Sequence, residues 1–210
     1  MPKKPLTALI LEGGLNRTSG SSIEDLVIMT RNRLSKAGVR SRVIRLIGEN
    51  VLPGLRHNEG KGDDWPKIAR AIAACDILIM ASPVWWGPGP SSLVQRALER
   101  MDAFDEEYLR TRTSKLYNKA AGVLTTGSED GAQQVGQHIM NTLQFLGFAF
   151  PPESLCYWVG EVGVKRPPTR VRLAQNQDVA EMNRRFVRNL VILANLLRSK
   201  PFPAHDAGET

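Results

Sequence analysis

Apolar positions along the chain follow two periods. Short continuous runs at Leu6–Leu11, Ile77–Ala81 and Lys119–Leu124 are too brief for globular helices and predict strands buried on both faces. Elsewhere apolar residues recur every three or four positions. Such stripes run through Ile23, Leu26, Val27, Thr30 and Leu34, then Trp65, Ile68, Ala69, Ile72 and Ala73, then Leu93, Val94, Ala97, Leu98 and Met101. Two more follow, at Val135, Ile139, Leu143 and Leu146, and at Met182, Phe186, Leu190, Leu193 and Leu197. Each stripe predicts an amphipathic helix, the last from about Asp178 to Ser199. Val39–Ile47 reads as another strand, and Arg40, Arg42 and Arg45 break its apolar pattern as suits a sheet edge. Phe148–Trp158 holds a short final strand interrupted by Pro151-Pro152. Residues 48–63 and 160–177 read as loops; no repeat or linker divides the chain. The expectation is one domain over residues 1–200, with a flexible tail over 201–210.

Strands alternating with helices imply a parallel sheet with right-handed crossovers. Five strands suggest the order 2-1-3-4-5, a flavodoxin-like three-layer α/β sandwich with helices on both faces. Its ligand site lies where the order reverses, between the first and third strands. Three loops would meet there. The first, Glu12-Gly13-Gly14 through Asn16, Thr18, Ser19, Ser21 and Ser22, is rich in glycine and hydroxyls. Hydroxyls and open backbone N–H groups at a helix start can hold a phosphate without a metal. The loop lacks the lysine of G-x-x-x-x-G-K-[ST] and the spacing of G-x-G-x-x-G. The second, Ser82-Pro83-Val84-Trp85-Trp86-Gly87-Pro88-Gly89-Pro90, puts two tryptophans on a stiff turn after a buried strand, and Ser91-Ser92 caps the next helix. Trp85 and Trp86 either pack into the core or line a planar aromatic ligand. The third is Thr125-Thr126-Gly127-Ser128-Glu129-Asp130-Gly131, where the two carboxylates suit capping and the helix dipole better than acid–base work.

At 210 residues and 42% hydrophobic content the chain can bury one substantial core. No apolar run is long enough to span a membrane, and Met1-Pro2-Lys3-Lys4 leads into a strand without a signal-peptide core. Cys75 and Cys156 show no C-x-x-C spacing, so neither zinc nor an iron–sulfur cluster is expected, and a reducing, cytoplasmic setting fits. The net charge of +7 favours anionic ligands. Its basic residues are scattered and no aromatic-rich basic motif accompanies them, so nucleic acid is not expected as a partner. His57, His138 and His205 lie apart without recognisable partners, and Trp65 reads as core.

At this point the chain resembles the flavodoxin-like NAD(P)H-dependent FMN reductases and oxidoreductases. The motifs that carry the likeness are Ser82-Pro83-Val84-Trp85-Trp86-Gly87, Thr126-Gly127-Ser128-Glu129-Asp130-Gly131-Ala132, Tyr157-Trp158-Val159-Gly160-Glu161, and Asn189-Leu190 on to Pro203. The resemblance implies FMN lying across the three loops. Ser21, Ser22 and Ile23 match its phosphate positions, with Asn16 and Thr18 in the same loop. Pro83, Val84, Trp85, Trp86 and Gly87 match the isoalloxazine turn, and Thr126, Gly127, Ser128 and Asp130 its other edge. It also implies an enzyme passing hydride from NADPH, with NADH possible, to a small acceptor such as a quinone or free flavin, in a homo-oligomer of two or four subunits. No classical catalytic residue is expected, because the flavin carries the chemistry. The alternatives are a flavodoxin-type electron carrier, which a charge of +7 suits poorly, and a flavin-binding module without turnover. Two features depart from the family: the long Gly13-Gly14-Leu15-Asn16-Arg17 entry and the rigid Pro88-Gly89-Pro90. Lys165, Arg166, Arg170 and Arg172 follow the last strand, where they could grip a 2′-phosphate.

Overall fold

A computed structural model describes residues 4–18, 20–86, 89–127, 130–160 and 175–203. Strands β1 (Thr7–Glu12), β2 (Arg40–Arg45), β3 (Ile77–Pro83), β4 (Ala120–Gly127) and β5 (Leu155–Val159) pair in parallel in the order β2-β1-β3-β4-β5. The helices are α1 (Ser22–Lys36), α2 (Trp65–Ala74), α3 (Ser92–Arg100), α4 (Asp102–Thr111), α5 (Ala132–Phe145) and α6 (Gln177–Ser199).

The pleat sorts alternate residues into two cores. Ala8, Ile10, Ile77 and Ile79 pack with Leu26, Val27 and Leu34 of α1 and Phe186 and Leu190 of α6. Leu9, Leu11, Leu78, Met80 and Val123 pack with Trp65 and Ile68 of α2, Val94 and Ala97 of α3, and Val135 and Ile139 of α5. Gly122 keeps α6 close: a Cβ there would fall 2.6 Å from the Phe186 ring.

Some details differ from the pattern. The helix α4 has no counterpart in the apolar stripes, because only Ala103 and Phe104 of its ten residues are buried. β3 and β4 extend past their apolar runs through Ser82-Pro83 and Thr125–Gly127, since the ladder pairs Ser82 with Thr125 and Pro83 with Thr126. The segment between β2 and α2 is organised around a buried ion pair. Arg100 of α3 donates to Asp63 Oδ2 (2.9 Å) and to the carbonyls of Leu52 (2.9 Å) and Arg56 (2.6 Å). At the chain's end, Phe202 exchanges two hydrogen bonds with the side chain of Asn118. Among the described residues, no helix is long and apolar enough to cross a membrane.

Candidate functional site

The register aligns the carboxyl ends of the strands, with Glu12 opposite both Arg45 and Ala81, Pro83 opposite Thr126, and Gly127 opposite Val159. The predicted loops therefore leave the sheet side by side. They are then laced together. Gly13 N–H donates to the Ala81 carbonyl (2.8 Å), and Ser91 Oγ donates to the Gly13 carbonyl (2.7 Å). A Cβ on Gly13 would overlap Val94 Cγ2, so the first loop runs against the start of α3 only because that position is glycine. Ser82 Oγ accepts from Ser91 N–H (2.9 Å), holding the two ends of the tryptophan turn together.

Thr126 joins all three loops. Its carbonyl accepts Val84 N–H at 2.7 Å, and its hydroxyl stands 2.9 Å from Ser22 Oγ. Both hydroxyls can donate, but the shared contact uses one proton, so the pair keeps one to offer elsewhere. Ser21 is the N-cap of α1, its Oγ accepting from Glu24 N–H at 3.3 Å. Among the described residues the N–H groups of Ser22 and Ile23 have no hydrogen-bond partner, and they lie at the positive end of the helix. The Ile23 side chain is buried in the core, as is that of Val84. Only the backbone of these two residues is left to face the loops.

Trp85 and Trp86 are not core residues: 54% and 85% of their surfaces are exposed, and their rings meet edge to face with centroids 6.5 Å apart. Trp86 adopts φ 41°, a left-handed conformation unusual for a bulky side chain. Asn16, Thr18 and Asp130 are exposed around the rim. Gly87 and Ser128 lie outside the described residues, as do Glu129 and the basic group Lys165, Arg166, Arg170 and Arg172. The carboxylate capping expected before α5 does not occur at its N-cap. That residue is Gly131, at φ 117°, with no side-chain cap bond.

Two residues of the site escaped the pattern. Glu12 is 1% exposed, accepting Gly14 N–H on Oε1 (2.9 Å) and Arg45 Nε on Oε2 (2.9 Å). Arg45 in turn donates from Nη2 to the Asn16 carbonyl (2.9 Å). Their link appears only once the sheet order places β2 beside β1.

Two of the three histidines have partners, contrary to expectation. His57 Nε2 lies 3.2 Å from Glu107 Oε2, and His138 Nε2 lies 2.9 Å from Gln95 Oε1; His205 lies outside the described residues. Burial pushes the Cys75 thiol up to about 11 and the Cys156 thiol up to about 12, so neither supplies a thiolate at neutral pH.

A parallel sheet in this order, with open loops at its switch point, defines a flavodoxin-like protein. The chain belongs to the NADPH-dependent FMN reductase family, whose model matches residues 7–160. It is 29% identical over 207 residues to the 8-demethyl-8-aminoriboflavin-5'-phosphate synthase of Streptomyces davaonensis, covering 94% of this chain and 80% of that one. The crystal structure of RosB with bound 8-demethyl-8-formylriboflavin-5'-phosphate superimposes with a TM-score of 0.83 at 29% identity, covering 94% of this chain and 82% of that one. An apo NADH:FMN oxidoreductase, EMOB, shares the fold with a TM-score of 0.65 at 18% identity, covering 98% and 97%.

Proposed function

We propose that the protein binds FMN across the carboxyl edge of its sheet and uses it to move hydride from NADPH or NADH to a small acceptor such as a quinone or free flavin. The observation that carries this reading is the lacing of the three loops through Thr126. The residues present suit FMN. The amides at the start of α1, unpartnered among the described residues, and the Ser22 hydroxyl are donors for a phosphate. The exposed Trp85–Trp86 pair offers apolar surface to a planar ring. Bound flavin would supply the two-electron chemistry. The chain's own part is to hold the ring, leave one face open, and point donors at atoms that gain negative charge.

A second reading has an observation of its own. The identity to the synthase of an 8-amino flavin phosphate, and both the identity and the TM-score to RosB with its bound 8-formyl flavin phosphate, exceed those to the NADH:FMN oxidoreductase. On that reading FMN is the substrate, changed at its 8-methyl group, and the same cradle holds it.

One experiment separates these. The absorbance spectrum after FMN is added tests binding. Bound FMN is then incubated with NADPH and a quinone, and separately with oxygen and amino donors, and the recovered flavin is weighed by mass spectrometry. Nicotinamide oxidation with unchanged flavin supports the reductase; a flavin altered at the 8-position supports the second reading. A chain that does not bind FMN fails both.

A further inference from the structure

We propose that Arg45, gripped by the buried Glu12, is a positioning residue that sets the protein's preference for a phosphorylated flavin over an unphosphorylated one. The inference rests on the reading that the FMN phosphate sits at the start of α1. The register puts Glu12 and Arg45 side by side on neighbouring parallel strands, so both side chains leave the same face of the sheet. Glu12 then spends its two oxygens on two different donors, the Gly14 amide and Arg45 Nε, each at 2.9 Å. Gly14 is part of the device, because a Cβ there would overlap Glu12 Oε1. The hold on Arg45 aims Nη2 at the Asn16 carbonyl, 2.9 Å away in the middle of the hydroxyl-rich loop. A carboxylate sealed under the loop therefore fixes the loop's path through one guanidinium fork.

Two roles of Arg45 follow from this geometry. It cancels the Glu12 charge, which would otherwise repel a phosphate monoester carrying about −1.5 to −2 at pH 7. It also occupies the Asn16 carbonyl with a donor, which fixes the loop proposed to hold the phosphate. Among the described residues Nη1 makes no hydrogen bond, and the side chain is 35% exposed, so part of the fork remains open toward an anion. Unphosphorylated riboflavin would gain nothing from either role.

The two roles are separated by the Glu12→Gln and Arg45→Lys variants, with FMN and riboflavin affinities measured by fluorescence titration on each full-length protein. In Glu12→Gln the amide offers one acceptor oxygen for two donors and releases the fork. If only charge mattered, removing a negative charge would tighten FMN. Positioning predicts the opposite, a fall in the FMN-to-riboflavin affinity ratio of about tenfold or more. Arg45→Lys keeps the charge but not the fork, and positioning predicts a similar fall. A ratio that rises or stays unchanged in Glu12→Gln, or stays at the parent value in Arg45→Lys, overturns the proposal. Should Glu12→Gln fail to fold, Arg45→Lys decides alone, because its side chain is partly exposed and its loss leaves no cavity. A parent chain that binds neither flavin overturns the FMN reading itself; a parent that binds FMN with variants of equal ratio overturns this inference only.

Discussion

The two ends of the sheet use their polar groups in opposite ways. At the amino end the strong polar side chains turn inward onto the chain. Asp76 accepts from Thr7 N–H (2.8 Å), Thr7 Oγ1 (2.8 Å) and Arg198 Nη2 (2.9 Å), and Arg198 Nη1 donates to the Lys4 carbonyl (2.6 Å). Lys119 Nζ donates to the carbonyls of Ala73 and Cys75, each at 2.8 Å, closing the carboxyl end of α2. At the carboxyl end the loops are tied to each other while, among the described residues, the Ser22 and Ile23 amides stay unpartnered and two tryptophans are exposed. One end uses its hydrogen bonds for stability, and the other is the edge where open α/β sheets can take a ligand. Substitutions at the two ends should accordingly separate stability from binding.

The largest separation is expected at the open end. Replacing Ser22 with alanine and Thr126 with valine should weaken FMN by about 1.5–3 kcal/mol for each charge-assisted bond lost. Because the hydroxyls share one contact, the double variant should fall short of the sum of the single losses. Titration with FMN and riboflavin checks this. Equal losses for the two flavins in Ser22→Ala would remove the phosphate assignment. Ser21→Ala is a poorer probe, since losing the N-cap also costs the helix about 1 kcal/mol.

The closed end should show the converse. Asp76→Ala strands three donors and should cost about 1–3 kcal/mol in urea unfolding, leaving FMN affinity of the folded protein unchanged. Burial alone would raise the Asp76 pKa, but the Thr7 amide, Arg198 and the Thr7 hydroxyl outweigh it and hold the carboxyl below its ordinary 3.8. A depressed folded-state pKa contributes stability that is complete above the unfolded value and is lost as pH falls through the folded one. The parent's advantage over Asp76→Ala should thus be constant from about pH 5 upward and shrink below about pH 4. A constant difference down to about pH 2 would show that the carboxylate charge contributes nothing.

The difference between the ends also explains what could be read from sequence. β1, β3 and β4 were legible because burial on both faces makes Leu6–Leu11, Ile77–Ala81 and Lys119–Leu124 almost continuously apolar. The amphipathic helices followed from their stripes, and β2 from the arginines that mark it as an edge. The helix α4 was illegible because it buries too little to leave a stripe. Of the site, the Trp85–Trp86 turn and the Ser21–Ser22 cap could be recognised from local residue types. The Thr126–Ser22 contact spans 104 positions and the Glu12–Arg45 pair 33, and no local pattern reports either. Arg45 looked like an interruption in a strand; its partner is a carboxylate that hydropathy would place in solvent.

A smaller effect concerns the nicotinamide. β5 ends at Val159 on the open edge, and Arg170 and Arg172 follow in the connection to α6. Guanidinium groups grip a phosphate through paired hydrogen bonds, and a 2′-phosphate distinguishes NADPH from NADH. The double variant Arg170→Ala, Arg172→Ala should lower kcat/KM for NADPH selectively, by about 1–2 kcal/mol of transition-state binding, and high salt should narrow the gap from the parent. An unchanged NADPH-to-NADH ratio would return both arginines to a solvated surface.

The smallest effect should carry opposite signs at one residue. Trp86 sits at φ 41° with 85% of its surface exposed. Neither burial nor backbone preference accounts for a tryptophan there, and a left-handed non-glycine residue costs of order 1 kcal/mol. Strain of this kind persists at functional positions when the side chain has work to do. Trp86→Gly relieves the strain, although glycine adds freedom to the unfolded chain. Stability in urea should therefore be unchanged or raised by up to about 1 kcal/mol. Flavin binding should move the other way, with weaker affinity and less quenching of the remaining tryptophan fluorescence on FMN addition. Trp85→Ala serves as the companion, because Trp85 shares the edge-to-face contact without the left-handed backbone. It should weaken flavin without the gain in stability. If Trp86→Gly instead lowers stability and binds FMN as the parent does, the left-handed turn is a structural feature of the loop, and the flavin is held by the other two loops.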